Sequence, residues 1–196
     1  QGTRLGFDHP KGMFPIGPVS RKTLFQILIE KLVAAARHYG VRIPLYVMTS
    51  PATHEETVAY LAAHDRFGLP AEDVRVFCQG TMPAVDAETG QLILARKDSL
   101  ALAPDGHGGM LAALCTSGTL QHARERNIAM LCYCQIDNPL ACLCHPELIG
   151  YHLLAESEMT TQVVRKRDPL DRVGNVVMVD GKMHIIEYSD LPSDMA

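Results

Sequence analysis

Nowhere does this chain hold an apolar run of the length a bilayer-crossing helix needs, about 20 consecutive residues. A membrane partner is therefore not expected. Nor is charge of one sign in excess: 18 Lys and Arg stand against 22 Asp and Glu, for a net charge of −4. The basic residues are scattered, with Arg165-Lys166-Arg167 as the one cluster, so the sequence offers no electrostatic case for nucleic acid. Several signatures are also missing. There is no Gly-Lys-Ser/Thr of a Walker loop, no GxGxxG of a dinucleotide site and no nucleophile-elbow setting around Ser50 or Ser117. Internal repeats and low-complexity linkers are absent too. What remains is an ordinary globular composition, 47% apolar and 20% charged, which excludes a disordered chain.

The six cysteines, Cys78, Cys115, Cys132, Cys134, Cys142 and Cys144, do not read as a disulfide framework. Several sit inside apolar, strand-like runs, as buried thiols in a reducing compartment do, and a cytoplasmic location is expected. Cys132-x-Cys134 and Cys142-x-Cys144-His145 have the composition of a zinc site. The first pair, however, falls on an expected strand, and CxC is less typical of zinc than CxxC, so zinc is set aside.

Periodicity predicts a helix over residues 20–39, with Leu24, Ile27, Leu28, Leu32 and Ala35 on one face, Ser20 as its cap and Gly40 just past its end. A capping-box spacing at Thr53 and Glu56 opens a second helix to about residue 64. Shorter helices are expected over 110–116 and 120–126, split by Ser117-Gly118, and over 146–155, led by Pro146. Short apolar runs at 45–49 and 74–78 read as buried parallel strands. The run 128–134 is the strongest core-strand candidate. A strand is also expected over 159–164, a small excursion over 91–95, and a hairpin pairing 175–179 with 183–187 across Asp180-Gly181. Strands alternating with helices imply an α/β sandwich around a largely parallel central sheet.

In such folds ligands gather beyond the carboxyl ends of the strands. The glycines of Gly2-Thr3-Arg4-Leu5-Gly6 let backbone N–H groups approach phosphate oxygens, and Arg4 and Lys11 supply positive charge; an ordinary surface loop has the same composition. Gly106-His107-Gly108-Gly109, running into a helix, can cradle an anionic or sugar-bearing ligand or be a flexible loop. Asp137, directly after the 128–134 run, stands where a Mg²⁺ carboxylate would sit beside phosphates, or caps the turn before Pro139.

Taken together, these segments resemble the UDP-sugar pyrophosphorylases of eukaryotic type, in particular the UDP-N-acetylhexosamine branch. That family's signature is a strand, then L-x-G-G-x-G-T-R-L-G, then P-K-G. Here the match starts at Gln1-Gly2-Thr3-Arg4-Leu5-Gly6 and continues at Pro10-Lys11-Gly12. Further matches follow in order at Met48-Thr49-Ser50, Gln79-Gly80-Thr81-Met82-Pro83-Ala84, Ala103-Pro104-Asp105-Gly106, Asp137-Asn138, Val173-Gly174 and Glu187-Tyr188-Ser189.

The resemblance implies a Rossmann-like nucleotide-diphospho-sugar transferase fold, with a mixed, mostly parallel central sheet flanked by helices. Residues 1–196 would form part of the catalytic domain, incomplete at both ends, lacking the first strand and a C-terminal segment. It implies uridylyl transfer from UTP to a sugar 1-phosphate, giving UDP-N-acetylglucosamine or a related UDP-sugar and pyrophosphate, with Mg²⁺ as cofactor. Glucose 1-phosphate as the acceptor, or an inactive nucleotide-binding fragment, are the alternatives. By the same resemblance Gly2 and Thr3 belong to the phosphate cradle, Arg4 and Lys11 neutralise the phosphates, Gln79 and Gly106 read the uracil, and Asp137 holds Mg²⁺. His107, Gly174 and Glu187 face the sugar. The N-acetylhexosamine branch usually carries Asn where His107 stands, whereas glucose-type relatives carry His in a comparable loop.

Overall fold

The computed structural model describes residues 6–168, 171, 173–188 and 190. The chain divides into two compact units, Gln1–His145 and Pro146–Ala196.

The first unit is organised by helix α1, Leu24–Tyr39. Thr23, not Ser20, is its cap: the Thr23 side chain accepts the Gln26 N–H at 3.3 Å, so the helix starts four residues later than the apolar period suggested. Its end is as expected. Gly40 takes the left-handed conformation (φ 63°), and its N–H reaches back to the carbonyls of Ala36 and Arg37. Leu24, Phe25, Leu28, Ile29 and Leu32 turn one face into the core.

Strands β1 (Leu45–Thr49) and β2 (Val74–Cys78) pair in parallel, with Leu45 opposite Val74 and Thr49 opposite Cys78. Side chains alternate across this ribbon with period two. Leu45, Val47, Val74 and Val76 pack onto Phe25, Ile29, Leu32, Leu61 and Leu69. Tyr46 and Met48 pack instead with Phe77, Ala113 and Leu114. The parallel pair is thus a middle layer. On one side lie α1 and α2 (His54–Ala63); on the other lie α3 (Met110–Thr116) and α4 (Thr119–Glu125). Gly118, at φ 72°, makes the break between the last two. The capping box expected at α2 does not form: Thr53 Oγ1 accepts the Ser50 N–H at 3.1 Å instead.

The central sheet is smaller than the sequence pattern implied. Among the described residues the strands form four two-stranded ladders, of which only β1–β2 is parallel. Residues 128–134 and 159–164 are not strands. An apolar, β-branched run favours extended backbone, but a strand exists only where a neighbouring backbone answers its N–H and C=O groups. Among the described residues no strand pairs with 128–136, and residues of this run line a cavity together with β1.

Two antiparallel ladders make the excursion after β2. Strand β3 (Thr81–Pro83) pairs with β6 (Leu102–Pro104), and β4 (Leu94–Arg96) with β5 (Ser99–Leu100). In the second unit α5 (Pro146–Leu154) precedes the hairpin of β7 (Asn175–Val179) and β8 (Lys182–Ile186). Asp180 (φ 49°) and Gly181 (φ 76°) both sit in the left-handed region, as a two-residue hairpin turn with the twist of its strands requires.

One polar knot ties the first unit together. Asp73 is 2% exposed. Arg42 Nε donates to its Oδ2 at 2.9 Å, and Arg126 closes on its Oδ1 as an ion pair. Burial pushes this carboxyl up, yet the two guanidinium groups outweigh burial and hold it below the ordinary aspartate value. A depressed folded-state value means the stabilisation is complete above the unfolded value near 3.8 and is lost as pH falls through the folded value. Asp73→Asn is expected to cost about 2–3 kcal/mol at neutral pH. It should also remove part of the acid-induced loss of stability, which urea unfolding followed across pH 3–7 would read.

Candidate functional site

Residues far apart in the chain converge on a cavity of about 520 Å³ in the first unit, a volume within the range of small-ligand sites. Lys11 opens a short 3₁₀ turn, Lys11–Met13. Gly12 behind it is buried, and a Cβ there would stand 2.1 Å from the Phe25 ring. Only glycine lets this turn lie flat on α1. From it Lys11 Nζ donates to Asp137 Oδ2 at 2.8 Å. Lys11 is the main reason the Asp137 carboxyl lies below the usual aspartate value; partial burial opposes it, and His107 adds to the lowering. Asp137 is therefore an anion at neutral pH.

At the carboxyl end of β2, the Gln79 N–H donates to the Thr49 carbonyl at 2.8 Å, which locks the ends of the parallel pair together. The Gln79 side chain reaches across to the β6 side: its Oε1 accepts the Gly106 N–H at 3.0 Å. Asp105, between β6 and Gly106, is wedged among glycines. A Cβ on Gly80 would meet its Oδ2 at 2.5 Å, and one on Gly109 would meet it at 2.0 Å. Gly80 and Gly109 therefore make room for the Asp105 carboxylate, whereas a Cβ on Gly106 or Gly108 would meet nothing within 4 Å. His107, next in the loop, shares a 2.6 Å hydrogen bond with the Tyr133 hydroxyl through Nδ1. Lys11, Gln79, Gly106, His107, Tyr133 and Asp137 all line the one cavity.

The structure thus brings together five of the residues singled out from the sequence: Lys11, Gln79, Gly106, His107 and Asp137. Gly2, Thr3 and Arg4 lie outside the described residues. Gly174 and Glu187 belong to the second unit, where they are neighbours: a Cβ on Gly174 would sit 3.6 Å from Glu187 Oε1. Tyr133 escaped the sequence reading because it lies in an apolar run read as core strand. With no ladder formed there, its side chain is exposed and turns to His107.

The donor set bears on a metal. Mg²⁺ usually keeps several waters and takes one or two carboxylates, completing its shell with phosphate oxygens. Asp137, 43% exposed at its side chain and kept anionic, fits that role. Among the described residues no group of three or more His, Cys, Asp or Glu is arranged to cage a metal by itself, so any ion here would depend on the ligand for most of its shell.

Comparison with known proteins gives the chain its relatives. The family described as "UTP–glucose-1-phosphate uridylyltransferase" matches residues 1–196. The human UDP-N-acetylhexosamine pyrophosphorylase-like protein 1 is 40% identical over 204 residues, a match that covers 100% of this chain and 40% of the relative. The UDP-N-acetylglucosamine pyrophosphorylase of Saccharomyces cerevisiae is 38% identical, with 100% of this chain and 42% of the relative covered. The crystal structure of the Trypanosoma brucei uridine diphosphate N-acetylglucosamine pyrophosphorylase, solved with an inhibitor, superposes with a TM-score of 0.87 at 35% identity, over 97% of this chain and 40% of that one. The chain spans about two-fifths of the length of these relatives.

Proposed function

The chain belongs to the UDP-sugar pyrophosphorylase family, and from that membership we propose that it carries the nucleotide-gripping part of a uridylyltransferase acting on UTP and N-acetylhexosamine 1-phosphate. The observation that carries the reading is the meeting of Lys11 and Asp137, 126 residues apart in sequence, at 2.8 Å on the wall of the cavity that Gln79 and Gly106 also line.

The reaction asks little covalent work of the protein. A phosphate oxygen of the sugar 1-phosphate attacks the α-phosphorus of UTP in line, the bond to the bridging oxygen breaks, and pyrophosphate leaves. Catalysis then rests on alignment and on neutralising oxygens that repel the incoming anion. The Lys11 ammonium gives up its carboxylate partner for a phosphate oxygen, a charge-assisted contact. Bound Mg²⁺ supplies further neutralisation along the phosphates, and Asp137 is the residue that would hold it. Gln79 commits its carbonyl to Gly106, which orients its NH₂ as a donor suited to a uracil carbonyl. Arg4, Gly2 and Thr3 keep the phosphate roles that the family resemblance implies, as Gly174 and Glu187 keep theirs at the sugar.

Calorimetric titration with UTP, with and without Mg²⁺, tests the nucleotide half of this reading. Pyrophosphate release with a panel of hexose 1-phosphates tests the rest. Mg²⁺-dependent binding and a preference for N-acetylglucosamine 1-phosphate over glucose 1-phosphate are the expected results. UTP binding that Lys11→Ala leaves untouched would overturn the site. Binding without turnover on any sugar would leave a nucleotide-binding module.

The presence of His107, bonded to Tyr133 in the cavity wall, favours a second reading with glucose 1-phosphate as acceptor. On either reading His107 faces the sugar. His107→Asn is expected to shift the ratio of kcat/KM between the two sugar phosphates about 10-fold, since an aligned polar contact to a substrate hydroxyl or acetamido group contributes on the order of 1–2 kcal/mol. An unchanged ratio would remove His107 from the sugar.

A further inference from the structure

Beside the cavity the chain gathers chemistry that uridylyl transfer does not use. Four of its cysteines, Cys132, Cys134, Cys142 and Cys144, fall within thirteen residues, and all are free thiols. Two are in direct contact: the Cys144 backbone N–H donates to Cys132 Sγ at 3.4 Å. Cys144 is held with φ at 55°, a left-handed conformation that costs a side-chain-bearing residue strain and is uncommon outside glycine. Cys132 is exposed, Cys144 is half-buried, and both line the cavity wall.

We propose that Cys132 and Cys144 are a peroxide-responsive dithiol, Cys132 the attacking sulfur and Cys144 the resolving one, whose disulfide closes the loop that bears Asp137. Cys132 as thiolate attacks one oxygen of the peroxide, the O–O bond breaks, and the leaving hydroxide takes a proton to become water. The resulting sulfenic acid is attacked by the Cys144 sulfur as it loses its proton, forming the S–S bond and releasing a second water. Two thiols and one hydrogen peroxide thus become one disulfide and two waters.

The division of roles follows from the contact. The Cys144 side chain foremost, and its N–H after, favour negative charge on Cys132 and lower its thiol below the ordinary cysteine value, against the opposing effect of partial burial. The same contact and burial raise Cys144. Cys134 is raised too, by burial first and then by Cys132, with Lys31 of α1 opposing. Cys134 and Cys142 add to the raising of Cys144. The exposed sulfur is therefore the better nucleophile, and its direct partner waits beside it.

The loop between them is already pinned. Lys31 Nζ donates to the Pro139 and Ala141 carbonyls, and Asp137 is tied to Lys11. A disulfide across its ends would bind the position of Asp137 to the redox state, though the thiol chemistry stands independently of the uridylyltransferase reading.

The chain treated with a stoichiometric excess of hydrogen peroxide, quenched and digested without reductant, tests this by mass spectrometry and thiol titration. The six titratable thiols should fall to four, with the loss of two hydrogens from the intact mass and a peptide linking Cys132 to Cys144. Cys132→Ser should abolish the disulfide. Cys144→Ser should stop at a sulfenic acid on Cys132, trapped by dimedone, and Cys142→Ser should behave as the parent. Six surviving thiols, oxidation that begins elsewhere, or a bridge through Cys134 or Cys142 would each overturn the proposal. Because the readout is the thiol itself, loss of UTP turnover cannot be mistaken for its failure.

Discussion

Asp137→Asn is expected to lower uridylyl transfer by about 100- to 1,000-fold while leaving the fold in place. Asparagine keeps the shape and still accepts from Lys11, so the only loss is a unit of negative charge. That charge is secure in the parent, because Lys11 at 2.8 Å holds the carboxyl ionised. Without it, no carboxylate among the described residues lines the cavity to hold a divalent ion against the phosphates. A loss of the size seen when one preorganised electrostatic contact to a transition state is removed, about 3–4 kcal/mol, is then expected.

The binding data should move in a telling direction. With Mg²⁺ omitted, Asp137→Asn should bind UTP no worse than the parent, since an anion facing the triphosphate has gone; the tightening that Mg²⁺ gives the parent should be lost in the variant. Lys11→Ala should instead weaken UTP by roughly 10- to 100-fold under both conditions, the worth of one charge-assisted hydrogen bond. Because the two side chains meet, the double variant should lose less than the sum of the single losses. Calorimetry and steady-state pyrophosphate release measure all of these. Transfer by Asp137→Asn within twofold of the parent would eliminate the metal role.

Gly12→Ala should be strongly destabilising. Its Cβ would overlap the Phe25 ring at 2.1 Å, and Phe25 is 5% exposed in the main apolar cluster, packed with Ile29, Leu32 and Leu61. Neither partner can yield easily: the ring is held on its far side by core, and the turn is anchored by the Met13 N–H on the Pro10 carbonyl at 2.9 Å. Overpacking of this kind costs about 3 kcal/mol, which for a chain of this size corresponds to a fall in Tm of roughly 6–12 °C. The strain should be relieved by lifting the Lys11 turn off α1, so UTP affinity should fall as well, although residue 12 carries no functional group. Phe25→Leu by itself leaves a cavity and destabilises, but combined with Gly12→Ala it should recover part of the loss, a coupling that thermal and urea unfolding would quantify. Additive losses would mean that the ring and the glycine do not contend for the same space.

What was legible in the sequence was local or pairwise. The ends of α1 at Gly40, the break at Gly118, the Pro146 start of α5 and the Asp180-Gly181 turn each depend on one residue's backbone preference, and that preference travels with the residue into any fold. The likeness of Gln79, Gly106 and Asp137 to a family pattern was likewise visible, because motif order survives without coordinates.

Tertiary structure decided the rest. Whether residues 128–134 become a strand depends on a neighbouring backbone, not on their own apolar character. The knot of Arg42, Asp73 and Arg126 joins segments that no local period relates. Lys11 reaches Asp137, Tyr133 reaches His107, and Cys144 reaches Cys132 because packing brings distant backbone within hydrogen-bonding range. Composition specifies which groups can bond; only the folded chain determines which of them are close enough to do so.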